Sequence, residues 1–292
     1  MRYTLFFNGL RAEVDSHGGE LISFRDCSNV EYIWSGDPTY WAGRNPLLFP
    51  IVGNLKNGQI SIDGSIYEMS RHGFARDCEF DLVSQTEDSI TLELRESEDT
   101  LARYPFPFVL QVCHRIVENG FSTTFRVKNT GDRPMPFCIG AHTAFSCPLH
   151  AGERFEDYAI VFDRPLTASM RLLTAEGLIS NAREQVLDGQ DRFLLDRSIF
   201  DRVDTMIFDD LRVSAVSLLH QELGHGVRME FPDFPMVAFW TKSGTDAPFV
   251  CLEPWHGCAA LEDESGIFSE KPGCVLLLPN EEKTFTYAVT IK

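Results

Sequence analysis

Apolar and polar residues alternate one by one along most of this chain, which is the period of a half-buried strand rather than of a helix. The alternation is plain in "SITLELRE" at 89–96, "VLQVCHRIVE" at 109–118 and "FSTTFRVKN" at 121–129. It returns in "VSAVSLLHQ", "GVRMEFP", "MVAFWTK" and the terminal "TFTYAVTIK". Asn119-Gly120, between two of these runs, is a strong hairpin signal because both residues tolerate positive φ, and "NTGDRP" at 129–134 marks a second turn. The opening "MRYTLFFNGLRAEV" reads as the first strand of the mature fold, without the apolar stretch and small-residue cleavage site of an export signal. Helical periodicity is sparse. Its best candidate is 183–201, "REQVLDGQDRFLLDRSIFD", which Gly189 interrupts, so residues 150–200 are expected to form a loop-rich excursion with short helices.

Many strands of similar length without intervening helices predict an antiparallel sandwich or barrel. The expectation is all-β: one large antiparallel β-sandwich over residues 1–292, with a few short helices. No Gly/Ser/Pro linker, charge block or internal repeat divides the chain, and 292 residues can bury a large core. A net charge of -17 leaves no basic surface to displace phosphate counterions, which excludes nucleic acid as a partner. No run of 18 apolar residues exists, so no helix is expected to span a membrane. The eight cysteines are scattered, several inside apolar runs such as "PFVCLEPW", and no C-x-x-C occurs. Buried reduced thiols in a cytoplasmic protein, monomeric or homodimeric, are expected. "HQELGH" fails as a zinc-protease motif, since His220 and His225 are five apart rather than four, and it reads as a hairpin turn.

Three polar clusters interrupt the strand pattern. The first joins "WAGRNPLLFPIVGNLKNGQ" to "RHGFARD", the second is "CIGAHTAFSCPL" around His142, and the third is "VCLEPWHG" around Glu253. Singly, each has a plain structural reading: a hydrogen-bonded core histidine, a strand-end carboxylate, surface arginines near turns. Together they are the parts of a carbohydrate acid/base site. Sugar hydroxyls need polar partners, the apolar sugar face packs on rings such as Trp255 or Phe74, and a carboxylate with an imidazole can exchange protons near neutral pH.

"NPLLFPIVGNLKNGQ", "YEMSRHGFARD", "PFCIGAHTAFSCPL" and "VCLEPWHG", in this order, resemble the aldose 1-epimerase (galactose mutarotase-like) family, especially its LacX-like bacterial branch. The resemblance runs from about residue 5 to the C-terminus. It implies a β-sandwich with a sugar site on its concave face, no metal or organic cofactor, and interconversion of the α and β anomers of a free aldose. It also implies His142 in "GAHTAF" as general acid and Glu253 in "LEP" as general base. His72 and Arg76 would contact sugar hydroxyls, as would Arg44, while Arg71 and Asp77 are expected to be structural or solvated. An aspartate on a middle strand is implied as well; "FDRVDTMIF" offers Asp204, with Asp209 and Asp210 as rivals. On this reading Glu253 takes the C1 hydroxyl proton while protonated His142 gives one to the ring oxygen, and nearby positive charge keeps the glutamate ionised.

The short "HGFARD" form is similar to that of the neighbouring hexose-6-phosphate 1-epimerases, in which arginines grip a phosphate. Arg44, Arg71 and Arg76 could do so here. A non-catalytic carbohydrate-binding protein of the same fold is the third reading, and the presence of both His142 and Glu253 argues against it, because a binder needs no proton donor and acceptor pair.

Overall fold

A computed structural model describes residues 1–292. The alternating segments form strands close to where they are expected: Ser89–Arg95, Phe108–Val117, Gly120–Asn129, Ala215–His220, Gly226–Glu230, Met236–Trp240 and Glu282–Ile291. They belong to one sheet of 15 strands. Its order starts with Leu47–Leu48 and Ile139–Ala141 and passes through Phe249–His256, Met236–Trp240 and Thr205–Phe208. It continues through Tyr158–Leu173, Ala215–His220, Gly226–Glu230 and Glu282–Ile291, then ends in the meander Gly120–Asn129, Phe108–Val117, Ser89–Arg95 and Asp81–Gln85. A three-stranded sheet, Arg2–Phe7, Leu10–Asp15 and Glu20–Arg25, lies outside it, with two small two-stranded sheets.

Period-two burial explains the packing. Phe108–Val117 and Gly120–Asn129 pair in one antiparallel register from Val117 opposite Gly120 to Phe108 opposite Asn129. The alternate residues Phe121, Phe125 and Val127 are sealed in the core. That core is one cluster of 76 buried residues running from Leu5 to Val289. Within it Phe49, Phe74, Tyr104, Phe108 and Phe137 meet in tilted and edge-to-face pairs with centroids 5.2 to 6.3 Å apart. No helix is long and apolar enough to cross a membrane, and all eight cysteines are free thiols.

Two expectations are corrected. The segment 150–200 is not a loop-rich excursion: Tyr158–Leu173 and Ile179–Leu194 are 16-residue strands paired as one long hairpin, and the only α-helix there is the short Arg197–Val203. Four register shifts break that pairing. Each slip interrupts the inward–outward alternation, so a period of two does not persist in the sequence. The turn at Asn119-Gly120 is also placed one residue earlier, because Gly120 already lies in the strand, opposite Val117. Glycine is required there by crowding: a Cβ would stand 1.8 Å from the Val289 carbonyl oxygen. "HQELGH" does form the expected turn, between Ala215–His220 and Gly226–Glu230.

Candidate active site

His142 and Glu253 face one another across paired backbone. Ile139–Ala141 and Thr143–Ser146 both pair with Phe249–His256, Gly140 opposite Trp255 and Thr143 opposite Leu252. His142 sits between these two pieces, and continuing the register places it opposite Glu253. Pro254 has no N–H, which interrupts the ladder just there. The His142 Nε2 and a Glu253 carboxylate oxygen are 3.3 Å apart. Beneath them Thr143 is fixed by a buried network: its hydroxyl donates to Asn45 Oδ1 at 2.7 Å, and Asn45 Nδ2 donates to the Tyr287 hydroxyl at 3.0 Å. Both members of the pair line an open hollow of about 240 Å³, room for a pyranose ring.

The "RHGFARD" segment enters the same hollow by a strained turn. His72 has φ +68° and Gly73 φ +76°. The His72 N–H donates to the Gly53 carbonyl at 3.0 Å, and its Nδ1 accepts from the Gly53 N–H at 3.0 Å. That acceptor role fixes the tautomer with hydrogen on Nε2. Arg76 lines the hollow, with Nη2 donating to the Arg71 carbonyl at 2.9 Å. Asp204 caps the helix Arg197–Val203 and lines it too, whereas Asp209 is held by Arg171 and Arg183 and Asp210 by Arg183. Trp255 forms part of the wall.

Arg44 is not brought to the site. Its Nε donates to the Ser35 carbonyl at 2.8 Å, its guanidinium lies against Gly36, and it does not line the hollow. Phe74 is likewise a core residue, packed between Phe49 and Phe108, and offers no face to a sugar. Other wall residues were not singled out from the sequence. Trp41 stacks on the His142 ring at 4.8 Å and Trp240 meets it edge-on at 5.5 Å. Arg71, read from the sequence as structural or solvated for a free sugar and as a phosphate-gripping arginine in the alternative reading, lines the hollow with Lys242 and Asn54, its Nε donating to Asn54 Oδ1 at 3.0 Å. Leu173 and Gly177 bring the tip of the long hairpin to the rim. Four buried side-chain polar atoms have no hydrogen-bond partner: Arg76 Nε, His142 Nδ1, Glu253 Oε1 and Trp255 Nε1. All four belong to residues of this one wall. Buried polar groups are rarely left unpaired, so their convergence marks a surface shaped for a polar ligand.

Residues 1–290 match the family model for aldose 1-epimerase. The chain belongs to the aldose 1-epimerase family. It is 35% identical over 295 residues to "Protein LacX, chromosomal" of Lactococcus lactis subsp. lactis, covering 97% of this chain and 96% of that one. Among solved structures it is similar to a galactose mutarotase related enzyme from Lactobacillus acidophilus, with TM-score 0.95 and 30% identity over 100% of this chain and 97% of that one. A galactose mutarotase-like protein from Lactobacillus casei gives TM-score 0.93 and 27% identity, with both chains covered in full.

In this aldose 1-epimerase family member, burial works against charge on both members of the pair. Desolvation raises the Glu253 carboxyl well above its usual range; the Trp255 indole, near but without a well-formed hydrogen bond, and the distant Arg71 only partly oppose it, and Asp204 adds to it. Desolvation also depresses His142, to about 3, with Arg76 and Arg71 acting in the same direction. His72 is lowered by burial, then by His142, Arg76 and Arg71. Burial therefore outweighs the positive charge that was expected to keep Glu253 ionised. With the carboxyl raised and the imidazole lowered, a proton shared by His142 and Glu253 favours the carboxyl, since the neutral arrangement needs no buried charges.

A stability prediction follows from that shift. Folded Glu253 keeps its proton at pH values where the unfolded chain has released it. Its contribution is favourable below about pH 4.5 and is lost as pH rises toward the folded value, at about 1.4 kcal/mol per unit. Glutamine carries no such cost. Glu253→Gln should melt several degrees above the wild type at pH 8, at about 2–4 °C per kcal/mol, with the gap closing near pH 4. Coincident thermal melts at pH 8 would show that the carboxyl is not held protonated.

Proposed function

We propose that this protein interconverts the α and β anomers of a free aldose by opening and reclosing the pyranose ring. The observation that carries the reading is the His142–Glu253 contact of 3.3 Å inside a hollow of sugar size. A bound hydroxyl can pair with the unpartnered Glu253 Oε1. This favours the ionised form of the carboxylate and moves the shared proton to His142. Glu253 then accepts the C1 hydroxyl proton as His142 donates to the ring oxygen. The bond from C1 to the ring oxygen breaks, leaving a C1 carbonyl, and rotation about C1–C2 exposes its other face. Closure runs the two transfers backward, so the pair ends with the one proton it began with. His72 Nε2–H, Arg76 and Asp204, which line the hollow, would hold ring hydroxyls, and Trp41, Trp240 and Trp255 would meet the apolar sugar face.

A second reading is favoured by Arg71, Arg76 and Lys242, which bring three cations to one wall of a chain whose net charge is -17. They could grip the phosphate of a hexose 6-phosphate. Polarimetry on freshly dissolved α-glucose, galactose and glucose 6-phosphate tests both readings. A free-aldose enzyme equilibrates the unphosphorylated sugars faster than the phosphate. A phosphate clamp does the reverse, and Arg71→Ala then costs it about 10–100-fold in kcat/KM on the phosphate alone, the worth of a charge-assisted hydrogen bond. No acceleration over the spontaneous rate with any of the three would sink the catalytic proposal.

A further inference from the structure

A second cluster lies away from the sugar hollow, where the loop after Pro148 meets the turn of "HQELGH". The spacing of that motif is wrong for a helix, but the fold is a hairpin: the His220 N–H donates to the His225 carbonyl at 2.9 Å, and the two rings are 5.1 Å apart. His225 thereby faces the loop. Its Nε2 is 3.1 Å from Glu153 Oε1 and 3.1 Å from the Tyr158 hydroxyl, and the His150 ring is 4.7 Å from its own. One donor atom from each of His150, Glu153 and His225 falls within 4.8 Å of the other two.

We propose that His150, Glu153 and His225 bind a zinc ion that clasps the loop following the His142 strand to the 221–225 turn. The geometry is close to what coordination needs. Zinc bonds of about 2.0–2.2 Å at tetrahedral angles place neighbouring donors about 3.3 Å apart. The Glu153–His225 pair, at 3.1 Å, is already near that spacing, and exposed His150, whose donor atom lies within 4.8 Å of both, must close by up to about 1.5 Å. The outer shell is also present. Glu153 Oε2 is engaged by the Tyr158 hydroxyl and by the His150 N–H at 3.1 Å, which leaves Oε1 for the ion. The Leu149 N–H donates to the Tyr158 hydroxyl at 3.0 Å and orients it. Such supports hold ligands in position and tune them. Two imidazoles and one carboxylate suit zinc rather than magnesium or calcium, which require oxygen donors throughout.

None of the three residues lines the sugar hollow, so the test is independent of the proposed catalysis. Chelator-treated full-length protein is titrated calorimetrically with zinc chloride, and with cobalt(II) to read tetrahedral coordination by visible absorption. One zinc per chain is expected, with no heat from magnesium. His150→Ala and His225→Ala should each weaken binding at least about tenfold, and zinc should raise the wild-type melting temperature but not that of the variants. His150 is exposed, so His150→Ala alone decides the matter if the other variant folds poorly. Absence of binding overturns the proposal, as does zinc binding that survives both substitutions but is lost in His142→Asn, which would place the ion in the sugar hollow.

Discussion

Glu253→Gln and His142→Asn should each lower the proposed anomer exchange by about 10²–10⁴-fold, the usual worth of one positioned proton transfer, while the protein keeps its fold. Glutamine fills nearly the space of glutamate, and asparagine, though smaller than histidine, keeps a polar amide at that position, so the hollow and its tryptophan wall should remain. Each removes one terminus of the same proton exchange. Glutamine cannot accept the C1 hydroxyl proton, and asparagine cannot give one to the ring oxygen. Because the two groups act as a unit, the double variant should be little worse than either single one, a non-additivity expected of a shared step. The gain in melting temperature expected for Glu253→Gln makes the result sharper, for the less active protein is then the more stable one. Polarimetry under saturating sugar reads the loss. A variant within about threefold of wild type would remove its residue from the proton exchange, and a double variant whose losses multiply would show that the groups act separately.

The extent of the fold that could be read from sequence follows from how long its alternation persists. Phe108–Val117 and Gly120–Asn129 keep one unbroken register over ten residues each, and their inward positions announce themselves. Tyr158–Leu173 and Ile179–Leu194 are longer, yet were hidden, because four slips reverse the inward face along them and much of the second strand is exposed to solvent. A strand with one wet face and a shifting register has no simple period to detect.

The site shows the same division. His142, Glu253, His72, Arg76 and Trp255 stand out as polar or aromatic members of clusters that interrupt the strands, Asp204 was implied only by the family resemblance, and the structure gathers all six on one hollow. Arg44 carried the same signal for a different reason: it secures its own loop through the Ser35 carbonyl. Nothing in a sequence separates an arginine that satisfies a neighbouring backbone from one that faces a cavity. Trp240 was overlooked for the opposite reason. Apolar surroundings such as "MVAFWTK" make a ring look like core, and only the facing of strand Met236–Trp240 toward Phe249–His256 turns Trp240 onto His142.

Gly73→Ala should destabilise the protein by about 3 kcal/mol or more and impair the site with it. Two costs combine. An L-residue held at φ +76° costs roughly 1–2 kcal/mol, and a Cβ there would stand 2.2 Å from the Phe49 carbonyl oxygen and 2.5 Å from its carbon. Those atoms belong to backbone and cannot swing aside. The Phe49 oxygen accepts from the N–H groups of Phe74 at 3.0 Å and Ala75 at 3.2 Å, and the Phe49 N–H donates to the His72 carbonyl at 3.2 Å. Retreat from the new methyl therefore breaks the contacts that aim His72 into the hollow. Gly58→Ala is the matched control, at φ +70° with nothing within 4 Å of the added carbon, and should lose only the conformational part, about 1 kcal/mol. Chemical denaturation of the two variants separates crowding from backbone strain. Equal losses would mean that the Phe49 contact yields freely and that His72 does not depend on it; a larger loss for Gly73→Ala, with a raised KM in the protein that remains folded, ties the strained turn to sugar binding.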